Sequence, residues 1–231
     1  MTALLSQSEI EKFALKIRNL SNNAEYKKAH QLSKTLSEKY PNILLFAYHE
    51  AVLSAEDDTG CTSAEIKARH KSAALKLKKL LKKLRSVSPN LRAGIRNEYY
   101  WFSHQPYKQY LLGREQVRRG IKRAYYAQGV GAAMLAKKYG QQERRKLCLR
   151  WAKRSERAWL SFFTVDSEWF NSYFFYARAL GYQGRASEME AALLRACKIS
   201  EKPKDWEVLR DIRKEIDMVR WKISKSKPVS S

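Results

Sequence analysis

Apolar residues recur at three- and four-residue spacing along almost the whole chain, and no stretch alternates apolar and polar in steps of two. That period places the apolar side chains on one face of an α-helix rather than one face of a strand. Breaks in the pattern at Pro41, Gly60, Pro89, Pro106, Gly120, Gly140, Asp166-Ser167, Gly184 and Pro203 divide it. The predicted helices span 8–21, 24–39, 42–55, 63–87, 90–103, 106–119, 121–138, 141–163, 167–182, 185–200 and 204–222, with short connections that suit antiparallel neighbours. Ser63 is placed to cap the fourth helix, and Asp166 or Ser167 the ninth. Pro89 and Pro106 fall where a first-turn proline is tolerated.

Two of these segments stand out. Over 63–87, Ile66, Ala73, Leu77, Leu80, Leu84 and Val87 share one face, with Ala74 and Leu81 beside them and His70 filling a gap as a packing residue. Such a face must be buried on neighbouring helices. Over 121–138, Ala124, Ala127, Gly129, Gly131, Ala132, Ala133 and Ala136 make a helix of small residues. Glycine inside a helix costs about 0.8–1 kcal/mol relative to alanine. Two glycines so close together imply close approach by a neighbour or by a ligand, and tight packing is the expectation.

An internal repeat appears at an offset of 160. Phe13, Ile17, Leu20, Ala24, Ala29, Ser33 and Leu36 align with Tyr173, Ala177, Leu180, Gly184, Met189, Leu193 and Ala196. The order is large, small-or-aliphatic and aliphatic positions on one helix, a turn residue, then small and aliphatic positions on the next. Pro41 closes the first unit, and Pro203 lies just beyond the second. This spacing resembles the tetratricopeptide repeat (TPR), in the first and last units and less in the longer middle ones. The resemblance implies an all-α fold: an antiparallel helix-hairpin, TPR-like superhelix of about five helix pairs plus a C-terminal capping helix. It would form a single domain over 1–222, with a flexible basic tail at 223–231. It implies no particular chemistry, because helical repeats are scaffolds for many partners.

Composition sharpens this picture. The 231 residues are 44% hydrophobic and include 6 Trp, 13 Tyr and 8 Phe, enough to build a core. Only 9 Gly and 5 Pro are present, which suits helices rather than a turn-rich fold. Cys61, Cys148 and Cys197 form neither a paired framework nor a zinc spacing. The N-terminal MTALLSQSEIEKF lacks the pattern of a signal peptide, and no uncharged apolar stretch is long enough to span a bilayer. A cytoplasmic location is expected.

Charge changes the picture most. The chain carries 46 Lys and Arg against 23 Asp and Glu, a formal net charge of +23, and the excess is concentrated. Residues 63–96 hold 11 basic residues and one acidic, Glu65, and residues 107–157 hold 15 basic and three acidic. The two ends are close to neutral. Lys67, Lys71, Lys78, Lys82 and Arg85 follow one side of the fourth predicted helix. Arg114, Arg118, Arg119, Lys122 and Arg123 surround the turn after the sixth. Lys146, Arg150, Lys153 and Arg157 form a stripe on the eighth, flanked by Arg154. Exposed helix faces normally intersperse both signs, because opposite charges one turn apart stabilise the helix. Here the anions are missing, so a polyanion would relieve the repulsion.

Catalytic patterns are weak. His30, His49, His70 and His104 lie apart, no nucleophile elbow is present, and Gln128-Gly129-Val130-Gly131 lacks the lysine ending and strand context of a phosphate loop. Carboxylates are scarce where the charge is highest. The chain is therefore expected to be non-enzymatic, with no cofactor and no metal. Nineteen aromatics fall within 99–176. Most are expected in the core, with Tyr100, Tyr107 and Tyr126 the candidates for exposed, base-stacking positions. The favoured partner is nucleic acid, RNA or single-stranded DNA, with RNA slightly preferred and little sequence specificity, provided the two basic blocks converge on one surface. The alternative is an acidic or C-terminal peptide in a superhelical groove, with Arg92, Arg96 and Asn97 clamping its carboxylate.

Overall fold

In the computed structural model, residues 5–22, 25–56, 61–84, 87–200 and 204–225 are described. Among them the chain is all-α. The helices are α1 (Gln7–Asn22), α2 (Tyr26–Lys39), α3 (Leu44–Glu56), α4 (Ser63–Leu81), α5 (Pro89–Phe102) and α6 (Pro106–Arg118). A 3-10 turn, Lys122–Ala124, then leads into α7 (Tyr125–Gln141), α8 (Arg145–Phe163), α9 (Phe170–Tyr182), α10 (Ala186–Ser200) and α11 (Lys204–Lys225). They divide into two compact units, Met1–His104 and Gln105–Ser231. Within each unit, helices pack on their neighbours in the chain.

Local chemistry explains the element ends, including those the periodicity misplaced. Thr62, not Ser63, caps α4: its hydroxyl accepts from the Glu65 N–H while Glu65 accepts from the Thr62 N–H, a reciprocal capping box. Helix α4 stops at Leu81 rather than 87, although Leu84 beyond it remains buried. Ser88 caps α5, and Pro89 and Pro106 open α5 and α6 as expected. Asp166 and Ser167 do not cap α9, which begins at Phe170; Asp166 instead accepts from the Glu168 N–H at 3.3 Å. Gly140 does not end α7, because it lies inside the helix against α11. Helix α11 runs to Lys225 with Ile223 buried, so the expected tail is helical over its first three residues.

In the first unit, Ile17, Ala29, Leu36, Phe46 and Leu53 join α1, α2 and α3. Ala51, Ala55, Ala73, Leu77, Leu80, Ile95 and Phe102 join α3, α4 and α5. His70 sits edge-on to Phe102 at 5.1 Å, a packing role as its place on the apolar face implied. Most repeat positions of both copies are core: Ile17, Ala29, Ser33 and Leu36 here, Ala177, Leu180, Met189, Leu193 and Ala196 in the second unit, with Phe13, Leu20 and Tyr173 partly buried. Ala24 lies outside the described residues, and its counterpart Gly184 takes φ +83 in the turn, where glycine is least strained.

The second unit is organised around α7. A Cβ on Gly131 would stand 2.7 Å from the Pro106 carbonyl oxygen and the Tyr110 nitrogen. One on Gly113 would stand 2.6 Å from the Gln128 nitrogen. The pairs 110 with 131 and 113 with 128 run in opposite directions, so α6 and α7 are antiparallel and nearly in backbone contact. On its other side, Gly129 lies beneath Trp159 of α8, whose indole N–H donates to Ser155 Oγ while that hydroxyl donates to the Gly129 carbonyl. At the far end Gly140 meets Cys148 of α8 and Val219 of α11. The small residues of α7 therefore serve packing, and burial between neighbours is what makes their low helix propensity tolerable.

Helix α11 inserts Leu209, Ile212, Ile216, Val219 and Ile223 onto α7 and α9. Its Glu215 carboxylate accepts from Lys137 of α7 at 2.6 Å, and from Arg178 at 3.0 Å and Tyr182 at 2.5 Å, both of α9. Burial pushes that carboxyl upward, but the two cations and the phenol outweigh it and hold it below its ordinary value. The packing of α7 makes a direct prediction. Gly131→Ala should lower unfolding stability by about 1–3 kcal/mol, as overpacked core sites do, read as a shift of the urea midpoint. Lys138→Ala, at an exposed position of the same helix, should leave the midpoint almost unchanged.

Candidate nucleic-acid interface

The two basic blocks fall in different units. In the second, the predicted cations are carried by α6, the following 3-10 turn and α8, the elements that pack against α7. Both neighbours are antiparallel to α7, hence parallel to each other. Their side chains join where Tyr110 of α6 meets Trp151 of α8, ring planes perpendicular and centroids 4.9 Å apart. Each ring carries an arginine from its own helix. The Arg114 guanidinium carbon is 5.9 Å from the Tyr110 centroid, and that of Arg154 is 4.6 Å from the Trp151 centroid. Both pairs follow from helix geometry, since Tyr110 and Arg114 are four residues apart and Trp151 and Arg154 three. Tyr107, 53% exposed, completes the cluster edge-on to Trp151 at 6.2 Å.

On α8 the stripe has the predicted form. Lys146, Arg150, Lys153 and Arg157 are exposed, while Cys148, Trp151, Ala152, Ser155, Trp159 and Phe162 are buried opposite. Arg118 and Arg119 are exposed at the end of α6, and Lys122 and Arg123 are exposed on the turn that packs against α8. Helix α7 begins at Tyr125 rather than 121, so those two cations stand on a turn instead of a helix face.

Several carboxylates of this unit pair with cations outside the predicted interface. Glu215 takes Lys137 and Arg178, Glu156 and Glu188 both take Arg185, Glu190 takes Arg213, and Glu168 takes Arg195. Among the described residues, Arg119, bonded to Glu115 at 2.6 Å, is the single predicted interface cation within 4.0 Å of a carboxylate. Arg114, Arg118, Lys122, Arg123, Lys146, Arg150, Lys153, Arg154 and Arg157 thus stand on this surface with no ion-pair partner among the described residues.

In the first unit Lys67, Lys71 and Lys78 are exposed along α4 and edge a groove of about 490 Å³. Lys82 is exposed at the end of α4, and Arg85 lies outside the described residues. Neither Tyr100 nor Tyr126 is fully exposed, contrary to expectation. Tyr100 is half-buried with its ring 5.7 Å from that of Tyr99. Tyr126 is half-buried among Trp159, Phe162 and Trp169, at 5.5, 5.6 and 6.0 Å, because the aromatics at the end of α8 and the start of α9 close around it.

The three residues expected to clamp a carboxylate all lie on α5. Arg92 donates to the Leu84 carbonyl at 2.9 Å, tying α5 to the end of the α4 segment, and Arg96 is half-buried. Asn97 donates to Glu98 at 3.0 Å, so an acid of this chain already stands beside it. Burial pushes the Glu98 carboxyl up to about 7, Glu56 adding to the rise and the Asn97 hydrogen bond opposing it. Sequence reasoning missed the buried Tyr110–Trp151 contact that joins α6 and α8 beneath their arginines, although the four- and three-residue spacing from each ring to its arginine is visible in the chain.

No protein-family model, curated protein or solved structure matches this chain. Among the described residues no group of three or more His, Cys, Asp or Glu converges as a metal site would require, and no helix is long and apolar enough to cross a membrane.

Glu98 yields a pH prediction. Its folded pKa lies above the ordinary 4.5, so between about pH 4.5 and 7 the folded chain keeps a proton that the unfolded chain releases. The Glu98 contribution to stability should therefore fall as pH rises through that window, while His49, whose pKa burial lowers to about 4, contributes in the opposite sense. Glu98→Gln should remove the fall, leaving the variant more stable than the parent at pH 8 by up to about 3 kcal/mol. Urea midpoints at pH 5 and pH 8 give the comparison.

Proposed function

We propose that this chain is a non-enzymatic, divergent TPR-like helical-repeat protein that binds nucleic acid through Lys and Arg of its central helices. RNA is slightly favoured over single-stranded DNA, with little sequence preference. The observation that carries this reading is the separation of charge in the second unit. Carboxylates neutralise cations that hold helices together, while nine exposed cations around α6, the following turn and α8 have no ion-pair partner among the described residues. Phosphates would supply the missing charge, and counterion release would drive the association. Tyr107, exposed beside the buried Tyr110–Trp151 pair and its arginines, adds flat surface suited to an unpaired base.

Nothing in this surface resembles a helix set to read base edges, which supports shape- and charge-based recognition. The thiols of Cys148 and Cys197 are buried and unbridged, which suits a cytoplasmic location. A peptide-groove reading has less support: Arg92 and Asn97 are engaged within the chain, and α11 covers α7 and α9.

Fluorescence anisotropy with a labelled single strand across a salt series tests the proposal. Binding should weaken steeply with salt. Replacing Lys146, Arg150, Lys153 and Arg157 by Gln should reduce the log–log slope by roughly one for each phosphate no longer neutralised. A slope untouched by the fourfold change would remove α8 from the interface. Copurification with an acidic polypeptide, in the absence of any oligonucleotide binding, would favour the peptide reading.

A further inference from the structure

The groove of the first unit has a composition that phosphate binding alone does not require. Lys67, Lys71 and Lys78 stand along its α4 edge, while Leu75, Tyr99 and His104 give it an apolar and aromatic wall. Leu75 interrupts the lysine row at the same face of α4 and is 54% exposed, an unusual place for a large apolar side chain beside three cations. His104 is exposed at the end of α5, its ring 6.1 Å from that of His70, and its backbone is held at φ +52, a conformation that side-chain-bearing residues seldom adopt. A volume of about 490 Å³ falls in the range of small-ligand sites.

The two halves of the lining ask for different things. The lysines have no ion-pair partner among the described residues and favour an anion. At about 1.5 Å rise per residue, Lys67 and Lys78 are about 16 Å apart along α4, farther than one phosphate group reaches and suited to a chain of phosphates. The apolar and aromatic portion favours a flat, weakly hydrated group. A duplex keeps its bases stacked inside and presents phosphates and groove edges to a shallow surface, whereas a single strand can turn a base outward.

We propose that this groove holds an unpaired base of a single-stranded nucleic acid on Leu75, Tyr99 and His104 while the α4 lysines hold flanking phosphates. The inference rests on the nucleic-acid reading above and deepens it: the first unit would make the protein prefer single strands to duplex. It adds base-contacting residues that the charge pattern alone does not identify.

The test uses the intact protein, a fluorescein-labelled oligouridylate and a duplex RNA of equal length. The parent should bind the strand more tightly than the duplex. The double variant Leu75→Ser, His104→Gly should lose about tenfold in affinity for the strand, within the range of one stacked base, with duplex binding and the salt slope unchanged. Both positions are exposed, and glycine accepts the His104 backbone conformation, so the fold should survive. If the parent binds the strand and the variant binds it equally well, the groove assignment is wrong and the α6–α8 reading stands. If the parent binds neither probe, both fail. A readout independent of any variant is photo-crosslinking from a thiouridine-containing strand: crosslinks in the 99–104 segment are expected, and crosslinks confined to 107–157 would overturn the assignment.

Discussion

The second unit depends on how closely two bulky helices can approach α7. Gly131 admits the backbone of α6, Gly129 admits the indole of Trp159, and Gly140 admits Val219 and Cys148. With ordinary side chains at these positions, α6 and α8 would be held apart by the intervening helix. Tyr110 could not then reach Trp151. A line of small residues, individually poor for helix stability, is thus what sets the spacing of everything packed around it. The basic surface inherits that spacing, because its cations are carried on the outer faces of the two helices that α7 draws together.

Electrostatics follows a division of labour. Several half-buried carboxylates are matched to cations that stitch one helix to another, as Glu215 is to Lys137 and Arg178, or Glu50 of α3 to Lys76 of α4 at 2.6 Å. Removing water from such groups is costly unless they are paired. Exposed pairs contribute little to stability, and on the outer face of α8 they are absent among the described residues. The uncompensated charge is consequently a property of the surface and not of the core.

Helix α11 gives the second unit a closed inner face. It lies against both α7 and α9, fills the space beside their glycines, and brings Glu215 to cations from each. A surface that would otherwise expose apolar side chains becomes core, and the exposed chemistry of this unit is left to α6, the 3-10 turn and α8. The first unit leaves a groove open between α4 and α5, where lysines and an exposed leucine share one lining.

Periodicity by itself determined the all-helical class, the number and order of helices among the described residues, and the buried faces. Those features depend on contacts three and four residues apart, which a linear string records. It also placed the lysine and arginine stripes on exposed faces, since Lys146, Arg150, Lys153 and Arg157 share a helix and need no partner to align. Element ends were less legible: Thr62 rather than Ser63 caps α4, because the decisive bond is reciprocal with Glu65, and Gly140 stays helical because α11 packs on it. Only the tertiary structure decided that Arg92 and Asn97 make hydrogen bonds within the chain, that Tyr126 is enclosed by three aromatic rings, and that Tyr110 meets Trp151. The last two join residues far apart in sequence across an interhelical distance, and that distance is set by which side chains are absent from the helix between them.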